Sequence, residues 1–221
     1  MIKAVIFDMD GVLIDTEKHY NAAWCEAAHM AGYADFGREH ALMLRSCDAR
    51  LASEMMKDIF GAGFDYYAVR EVRRRLVAER LEQYGLEKKP GIDEILAFLH
   101  ERGIKAAVAT ATPIELTLQH LGAIGVRDQF DRIVSAKQVA NGKPAPDVYL
   151  YACEQIGEKP MDCIAVEDSP NGIRSAYAAG CRPVMVPDLT QPDAEIRPLL
   201  YAVAESLADI RKLIIQGKGP L

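Results

Sequence analysis

The chain has 221 residues, 26 of them Lys or Arg and 32 Asp or Glu, for a formal charge of −6; half of it is hydrophobic and 26% is charged. That is the composition of a globular protein with one large domain, or one domain carrying an insertion, and it excludes a disordered or collagen-like chain. The acidic balance also argues against a nucleic-acid partner, because a non-specific grip on phosphates needs surplus Lys and Arg.

Residues 3–7 (KAVIF) form a β-rich apolar run that stops at Asp-Met-Asp-Gly, which reads as a buried strand ending in a loop. The next comparable run is 104–109. Between them Tyr20, Ala23, Trp24, Ala27 and Ala31 share one helical face, as do Val69, Val72, Leu76 and Val77, with Leu81 and Tyr84 continuing it. A helical block of roughly seventy residues exceeds an ordinary crossover of about a dozen. The expectation is therefore an inserted α-helical domain over 16–85 and a discontinuous core formed by 1–15 and 86–221.

Beyond Pro90-Gly91 the pattern alternates regularly. It predicts a helix over 92–101 stopping at Gly103, a strand to Thr110, a helix over 113–123, a short strand over 132–135 and a helix over 146–156. A strand over 163–166, a helix over 170–179 and a strand over 183–186 follow, then a closing helix over 205–215 and a frayed 217–221. Such alternation implies right-handed βαβ units, hence an α/β fold with a Rossmann-like, doubly wound parallel sheet covered on both faces. The five cysteines, scattered without a CxxC pair, suit a reducing, cytoplasmic setting. No apolar run approaches the ~18 residues of a membrane span, and Asp8 and Asp10 interrupt the N-terminal run before it could act as a signal-peptide core. A monomer away from membranes is expected.

In an open parallel sheet, ligands bind outside the carboxyl ends of the strands. The polar residues there are Asp8 and Asp10, Thr110 and Thr112, Lys143, and Glu167 with Asp168. Two acids closing one buried strand repel each other unless a cation or proton lies between them. A second acid pair closing another strand makes an all-oxygen site suited to Mg²⁺, whereas zinc would want His or Cys at these positions. Ser169 before Pro170 reads as a helix cap, which leaves the acids free. Lys143, bracketed by Pro144 and Pro146, presents a rigid cation suited to a phosphoryl group, and Thr110 could donate to the same oxygens.

FDMDGVLIDTE, VATAT, GKPAPD and EDSPNG occur in the order and at roughly the spacing of the four motifs of the haloacid dehalogenase superfamily, and they resemble its β-phosphoglucomutase-like subgroup. The resemblance implies a core of that type with the helical insertion as its cap. It implies a phosphatase acting on small phosphomonoesters, sugar phosphates among them, with Mg²⁺ as cofactor. Asp8 would be the nucleophile that becomes an aspartyl-phosphate and Asp10 the general acid and base. Thr110 and Lys143 would hold the phosphoryl oxygens. Asp8, Asp168, the Asp10 carbonyl and Glu167, directly or through water, would hold the metal.

The alternative within the subgroup is a β-phosphoglucomutase-type isomerase. Its pattern has a His where this chain has Tyr20; His19 is one position off, rotated by roughly 100° on a helix. Glu17 in DTE is closer to the phosphatases. For cap contacts to substrate the sequence offers Arg45 and Arg50 in LRSCDAR, and His19 near the hinge, while Arg70 and Arg73 to Arg75 read as a solvated face.

Overall fold

The computed structural model describes residues 1–216; the expected fraying of 217–221 falls outside the described residues. Its strands are β1 (Ala4–Phe7), β2 (Lys105–Thr110), β3 (Arg132–Ser135), β4 (Cys163–Glu167), β5 (Arg182–Met185) and β6 (Ala202–Val203). They form one six-stranded sheet in the order β3-β2-β1-β4-β5-β6, and every pair in it is parallel. This is the doubly wound order, and the chain reverses its direction across the sheet at β1, next to β4.

Burial on both faces explains why these strands are almost continuously apolar. Val5 and Phe7 of β1, Val108 of β2 and Ile164 and Val166 of β4 pack on one side, against α5 (Ile92–Glu101), α6 (Ile114–Ala123) and α9 (Ile210–Gln216). Ala4, Ile6, Ala107, Ala109 and Ala165 face the other side, against α7 (Asp147–Ile156) and α8 (Pro170–Ala178). The second face is built mostly of alanine, so α7 can lie close to the sheet.

Two elements differ from the sequence expectation. Strand β6 has only two residues, too few for an alternation pattern to register, and it forms because the edge of β5 pairs Val184 with Ala202 and Met185 with Val203. The closing helix is shorter than expected. Ser206 Oγ donates to Asp209 Oδ2 at 2.8 Å, and the segment Leu207–Asp209 is a 3-10 turn before α9. A local side-chain bond of that kind competes with a regular helix start.

The central strands are in matched register: Phe7 lies opposite Val108 on one side and Val166 on the other. Asp8, one residue on, therefore lies level with Ala109 and Glu167, and its N–H donates to Val166 O at 2.9 Å. The chain then turns tightly, with Met9 O accepting from Leu13 N at 2.8 Å and Ile14 N at 3.1 Å. Gly11 makes this turn possible, at φ +80 and with no room for a side chain, since a Cβ there would sit 2.1 Å from Asp168 Oδ2.

From the turn the chain enters four helices, α1 (Glu17–Met30), α2 (Arg38–Met43), α3 (Ala49–Phe60) and α4 (Tyr66–Tyr84). They bury an apolar cluster of their own that includes Trp24, Phe36, Met56, Phe64 and Val69. Asp48 caps α3 by accepting from Arg50 N, and Asp65 caps α4 by accepting from Ala68 N. The outgoing and returning segments run side by side: Asp15 N donates to Glu87 O at 2.9 Å and Lys89 N to Leu13 O at 3.0 Å.

Gly11→Ala should cost about 2–4 kcal/mol, because positive-φ strain and a collision with Asp168 add together. Gly32 has φ +92 but nothing within 4 Å of a built Cβ, so Gly32→Ala should cost only about 1 kcal/mol. Urea denaturation of both variants checks this. Equal losses would mean that the turn after β1 yields freely.

Candidate active site

The carboxyl ends of β1, β2 and β4 bring Asp8, Thr110 and Glu167 to one rim, and the loops beyond them add Asp10, Thr112, Lys143 and Asp168. Lys143 is the hub. Its Nζ donates to Asp8 Oδ1 at 2.7 Å, Glu167 Oε1 at 2.6 Å and Ala109 O at 2.9 Å, and the residue is fully buried. All three ammonium hydrogens thus have acceptors. Glu167 Oε1 also accepts from Tyr149 Oη at 2.6 Å, which the alanine-lined face of the sheet lets approach.

EDSPNG has a local physical explanation. Ser169 Oγ accepts from Gly172 N at 3.1 Å and so caps α8, with Pro170 as the first helical residue. Gly172 is then required for space, because a Cβ there would lie 2.0 Å from the Glu167 carboxylate. The helix start and the acid pair fit together only without that side chain.

Negative charge dominates the rim. Asp8, Asp10, Glu17, Glu167 and Asp168 are all buried, and Lys143 and Arg45 are the buried cations beside them. Burial pushes the Asp8 carboxyl up to about 8, against the pull of Lys143 and with the help of Glu167 and Asp10. Burial likewise lifts Asp168 well above the usual carboxylate range despite Arg45, and Glu17 to about 7. Burial alone would lower Lys143, but Asp8 and Glu167 hold it above its ordinary value.

Asp8, Glu167 and Asp168 offer carboxylate oxygens that lie within 4.8 Å of one another. Asp168 Oδ1 is buried and has no hydrogen-bond partner among the described residues. Oxygen donors only, a surplus of negative charge and one orphaned carboxylate oxygen fit a hard cation. This buried acidic group is able to bind a metal.

Asp10 is held differently. Thr16 Oγ1 donates to its Oδ1 at 2.6 Å and Thr112 Oγ1 to its Oδ2 at 2.7 Å, which fixes the carboxylate from both sides. Asp10, Thr110 and Lys143 line a cavity of about 900 Å³ between the rim and the helical segment, whose walls include Glu17, Tyr20 and Trp24. Asp8 lies behind them and is only 1% exposed.

The three cap residues singled out by the sequence part company. Arg45, in the loop between α2 and α3, is buried. Its Nη2 bonds the Asp168 carboxylate at Oδ2 and lies 3.3 Å from Asp168 O, its Nη1 donates to Thr190 Oγ1 at 3.0 Å, and its Nε lies 3.3 Å from Glu17 Oε2. Arg50 is exposed on the first turn of α3 and bonds Asn141 Oδ1 at 3.1 Å, outside this cavity. His19 stacks on Tyr84 with ring centroids 5.7 Å apart and does not line the cavity. The structure thus brings Arg45 to the site and leaves Arg50 and His19 away from it.

The solvated face read for α4 needs correction at two positions. Arg74 and Arg75 are exposed, but Arg70 and Arg73 are half-buried and line the cavity, Arg73 lying against Tyr20 and Trp24 at 4.9 and 4.8 Å from their ring centroids. Two further participants escaped the sequence reading. Thr16 could have been found as a hydroxyl just after the first motif, but Tyr149, in the middle of an apolar helix, carries no local signal.

A family model described as a haloacid dehalogenase-like hydrolase matches residues 2–180. Hexitol phosphatase B of Escherichia coli (strain K12) is 31% identical over 216 residues, covering 96% of this chain and 94% of that protein. The phosphorylated carbohydrates phosphatase of Thermotoga maritima is 30% identical over 219 residues, covering 98% and 92%. Among solved structures, β-phosphoglucomutase from Clostridium difficile aligns with a TM-score of 0.80 at 25% identity, covering 98% of this chain and 96% of that one. Since the family model spans most of the chain and the likeness to named phosphatases runs nearly end to end, the chain belongs to the haloacid dehalogenase-like hydrolases, in their β-phosphoglucomutase-like subgroup, and is a phosphatase of that family.

Proposed function

We propose that the enzyme hydrolyses small phosphomonoesters, sugar phosphates in particular, with Mg²⁺ and through an aspartyl-phosphate on Asp8. The observation that carries this reading is the unequal treatment of two neighbouring acids. Lys143 and the buried cluster hold Asp8, while a threonine hydroxyl grips each oxygen of Asp10 at the cavity wall. The sugar-phosphate class rests on the relatives, hexitol phosphatase B and the phosphorylated carbohydrates phosphatase.

On this reading one Asp8 oxygen attacks phosphorus as the ester P–O bond breaks, and Asp10 delivers its proton to the leaving alkoxide. Asp10, now a carboxylate, takes a proton from the water that attacks the aspartyl-phosphate. Inorganic phosphate leaves and Asp8 is restored. Lys143 offsets charge on Asp8, and a phosphoryl oxygen would take the place of one of the three acceptors that its ammonium now holds. Thr110 Oγ1 accepts from Thr112 N at 3.1 Å, and its own O–H is the donor assigned to the phosphoryl group. Mg²⁺, held by Asp8, Asp168 and the Asp10 carbonyl, with Glu167 as a direct or water-mediated ligand, would supply charge neutralisation and alignment of the phosphoryl group.

We assign 16–85 the role of a cap that gates the rim and 1–15 with 86–221 that of the catalytic core. The cap meets the core through its α2–α3 loop: Asn171 Nδ2 donates to Arg45 O at 2.9 Å, and Asp48 N donates to Lys143 O at 2.7 Å. A gate at these contacts would admit a small metabolite and exclude macromolecular phosphoesters. Among the described residues no helix is long and apolar enough to cross a membrane. A cytoplasmic monomer fits this reading. Intramolecular transfer in the manner of a mutase is the second reading, favoured by the likeness to β-phosphoglucomutase.

A panel of sugar phosphates read for released phosphate tests the reaction. Asp8→Asn should fall to background, and Asp10→Asn should lose about 10²–10⁴-fold in kcat. Glucose 1-phosphate should yield inorganic phosphate; accumulation of glucose 6-phosphate instead would establish the mutase. EDTA should abolish turnover and added Mg²⁺ restore it. Independently of turnover, saturating Mg²⁺ at about 100 times its Kd should stabilise the wild type by about 2.7 kcal/mol, and Asp168→Asn should remove most of that gain. Turnover indifferent to EDTA would overturn the metal assignment.

A further inference from the structure

EDSPNG contains one polar residue, Asn171, that takes part neither in the rim nor in capping α8. Its Nδ2 donates across to the helical segment, to Arg45 O at 2.9 Å and Met43 O at 3.2 Å. Three residues earlier, Asp168 bonds the guanidinium of the same arginine. One short stretch of the core thus grips Arg45 by its backbone and by its charged end. Thr190, beyond β5, adds a third core contact by accepting from Nη1 at 3.0 Å, and Arg45 is only 4% exposed. The chain then turns at Ser46, whose φ of +51 is the one positive value at a non-glycine residue among the described residues. A backbone in that region persists where its surroundings over-determine it.

The bond to Arg45 divides the two oxygens of Asp168. Oδ2 is taken by the guanidinium, whereas the buried Oδ1 has no partner among the described residues. Fixing one oxygen fixes the carboxylate, which leaves Oδ1 as the one free for a cation beside Asp8 and Glu167. Repulsion between Arg45 and that cation is the opposing effect. Glu17 answers it, because its Oε2 lies 3.3 Å from Arg45 Nε and the arginine therefore reaches the rim as half of an ion pair. With its charge balanced, orientation decides: a hydrogen-bonded partner behind a ligating carboxylate is worth about 10–100-fold in metal affinity.

We infer that Arg45, carried on the α2–α3 loop and gripped by Asn171, is a positioning residue for the metal: it holds Asp168 Oδ2 so that Oδ1 meets the cation, and the site reaches full affinity only while the loop is docked. This deepens the proposed function and rests on its Mg²⁺ site, to which it adds a dependence on the helical segment. The dependence runs both ways. Whatever factor docking of the loop adds to metal affinity, the metal adds to docking.

Calorimetric titration with Mg²⁺ alone, without substrate, tests this, on variants whose thermal melts show that they are folded. Glu17→Gln combined with Arg45→Met removes the ion pair at unchanged formal charge and should weaken Mg²⁺ binding about 10–100-fold. Arg45→Lys alone, which keeps a donor for Asp168 but cannot serve Thr190 and Glu17 at the same time, should fall between that variant and the wild type. Asn171→Ala touches no carboxylate of the rim and covers the case in which the double variant does not fold; it should weaken Mg²⁺ severalfold. In the wild type, saturating Mg²⁺ should slow hydrogen exchange of the Asp48 amide, which bonds Lys143 O between the loop and the core. Mg²⁺ held as tightly as by the wild type, or more tightly, in the folded double variant or in Asn171→Ala overturns the inference, and so does an Asp48 amide indifferent to Mg²⁺. A wild type that binds no Mg²⁺ overturns the proposed metal site and this inference together. If Mg²⁺ binding depends on Arg45 yet no sugar phosphate is turned over, the inference stands and the substrate reading fails instead.

Discussion

Uncompensated negative charge at the carboxyl end of the sheet is the constraint on which the rest of this molecule depends. Five buried carboxylates share the rim with two buried cations, so three negative charges would remain if every group were ionised. The protein answers in three ways. Lys143 spends all three of its N–H donors on the rim, Arg45 reaches in from the helical segment, and the carboxyls of Asp8, Asp168 and Glu17 are held above their ordinary range, with burial as the leading cause. A divalent cation would offset two of the remaining charges and a proton the third. The net acidity that argues against phosphate binding in the chain as a whole is thus concentrated where a metal would reverse it.

Packing has to yield to this arrangement. Carboxylates can crowd together only if the backbone around them leaves room, and two glycines provide it, Gly11 beneath Asp168 and Gly172 beneath Glu167. The alanines on one face of the sheet serve the same end by letting α7 approach until Tyr149 reaches Glu167. Glu167 consequently accepts from Lys143, Tyr149 and Ser169. With so many donors already engaged, it is better placed to orient water beside a metal than to act as a principal ligand, and Asp168, with one oxygen still unpartnered, is the stronger candidate for direct coordination.

The core was legible because its signals are local. A buried parallel strand reads as an apolar run, a strand end as a polar break, and a helix start as Ser-Pro; each survives in a window of a few residues, and the rim residues follow from them by the rule that ligands gather at strand ends. Strand β6 lacked the length to register. The cap was readable as helix but not as a surface, since a helical period says which residues share a face and not what that face meets. Arg73 shows the limit. It belongs to a run of three arginines that looks solvated in any helical projection, and it turns inward only because Tyr20 and Trp24, some fifty residues earlier on α1, offer two aromatic faces to cover its charge. Arg50 shows the converse: a cation near the right loop is drawn away by Asn141 and lies outside the cavity.

The choice between hydrolysis and mutase chemistry comes down to what meets Asp10 after Asp8 has been phosphorylated. Return transfer requires that a sugar hydroxyl occupy that place and that water stay out. Yet the cavity Asp10 faces is about 900 Å³, against roughly 30 Å³ for each water in the liquid, so one small sugar phosphate would leave space for water. Around Asp10, Thr16 and Thr112 hold the carboxylate from both sides, and the buried His120 shares the cavity wall within electrostatic reach of it. With Tyr20 at the position where the mutase pattern has histidine, the helical segment sets a phenol against the Arg73 guanidinium on this wall, and hydrolysis and return transfer differ in whether water or a sugar hydroxyl reaches Asp10.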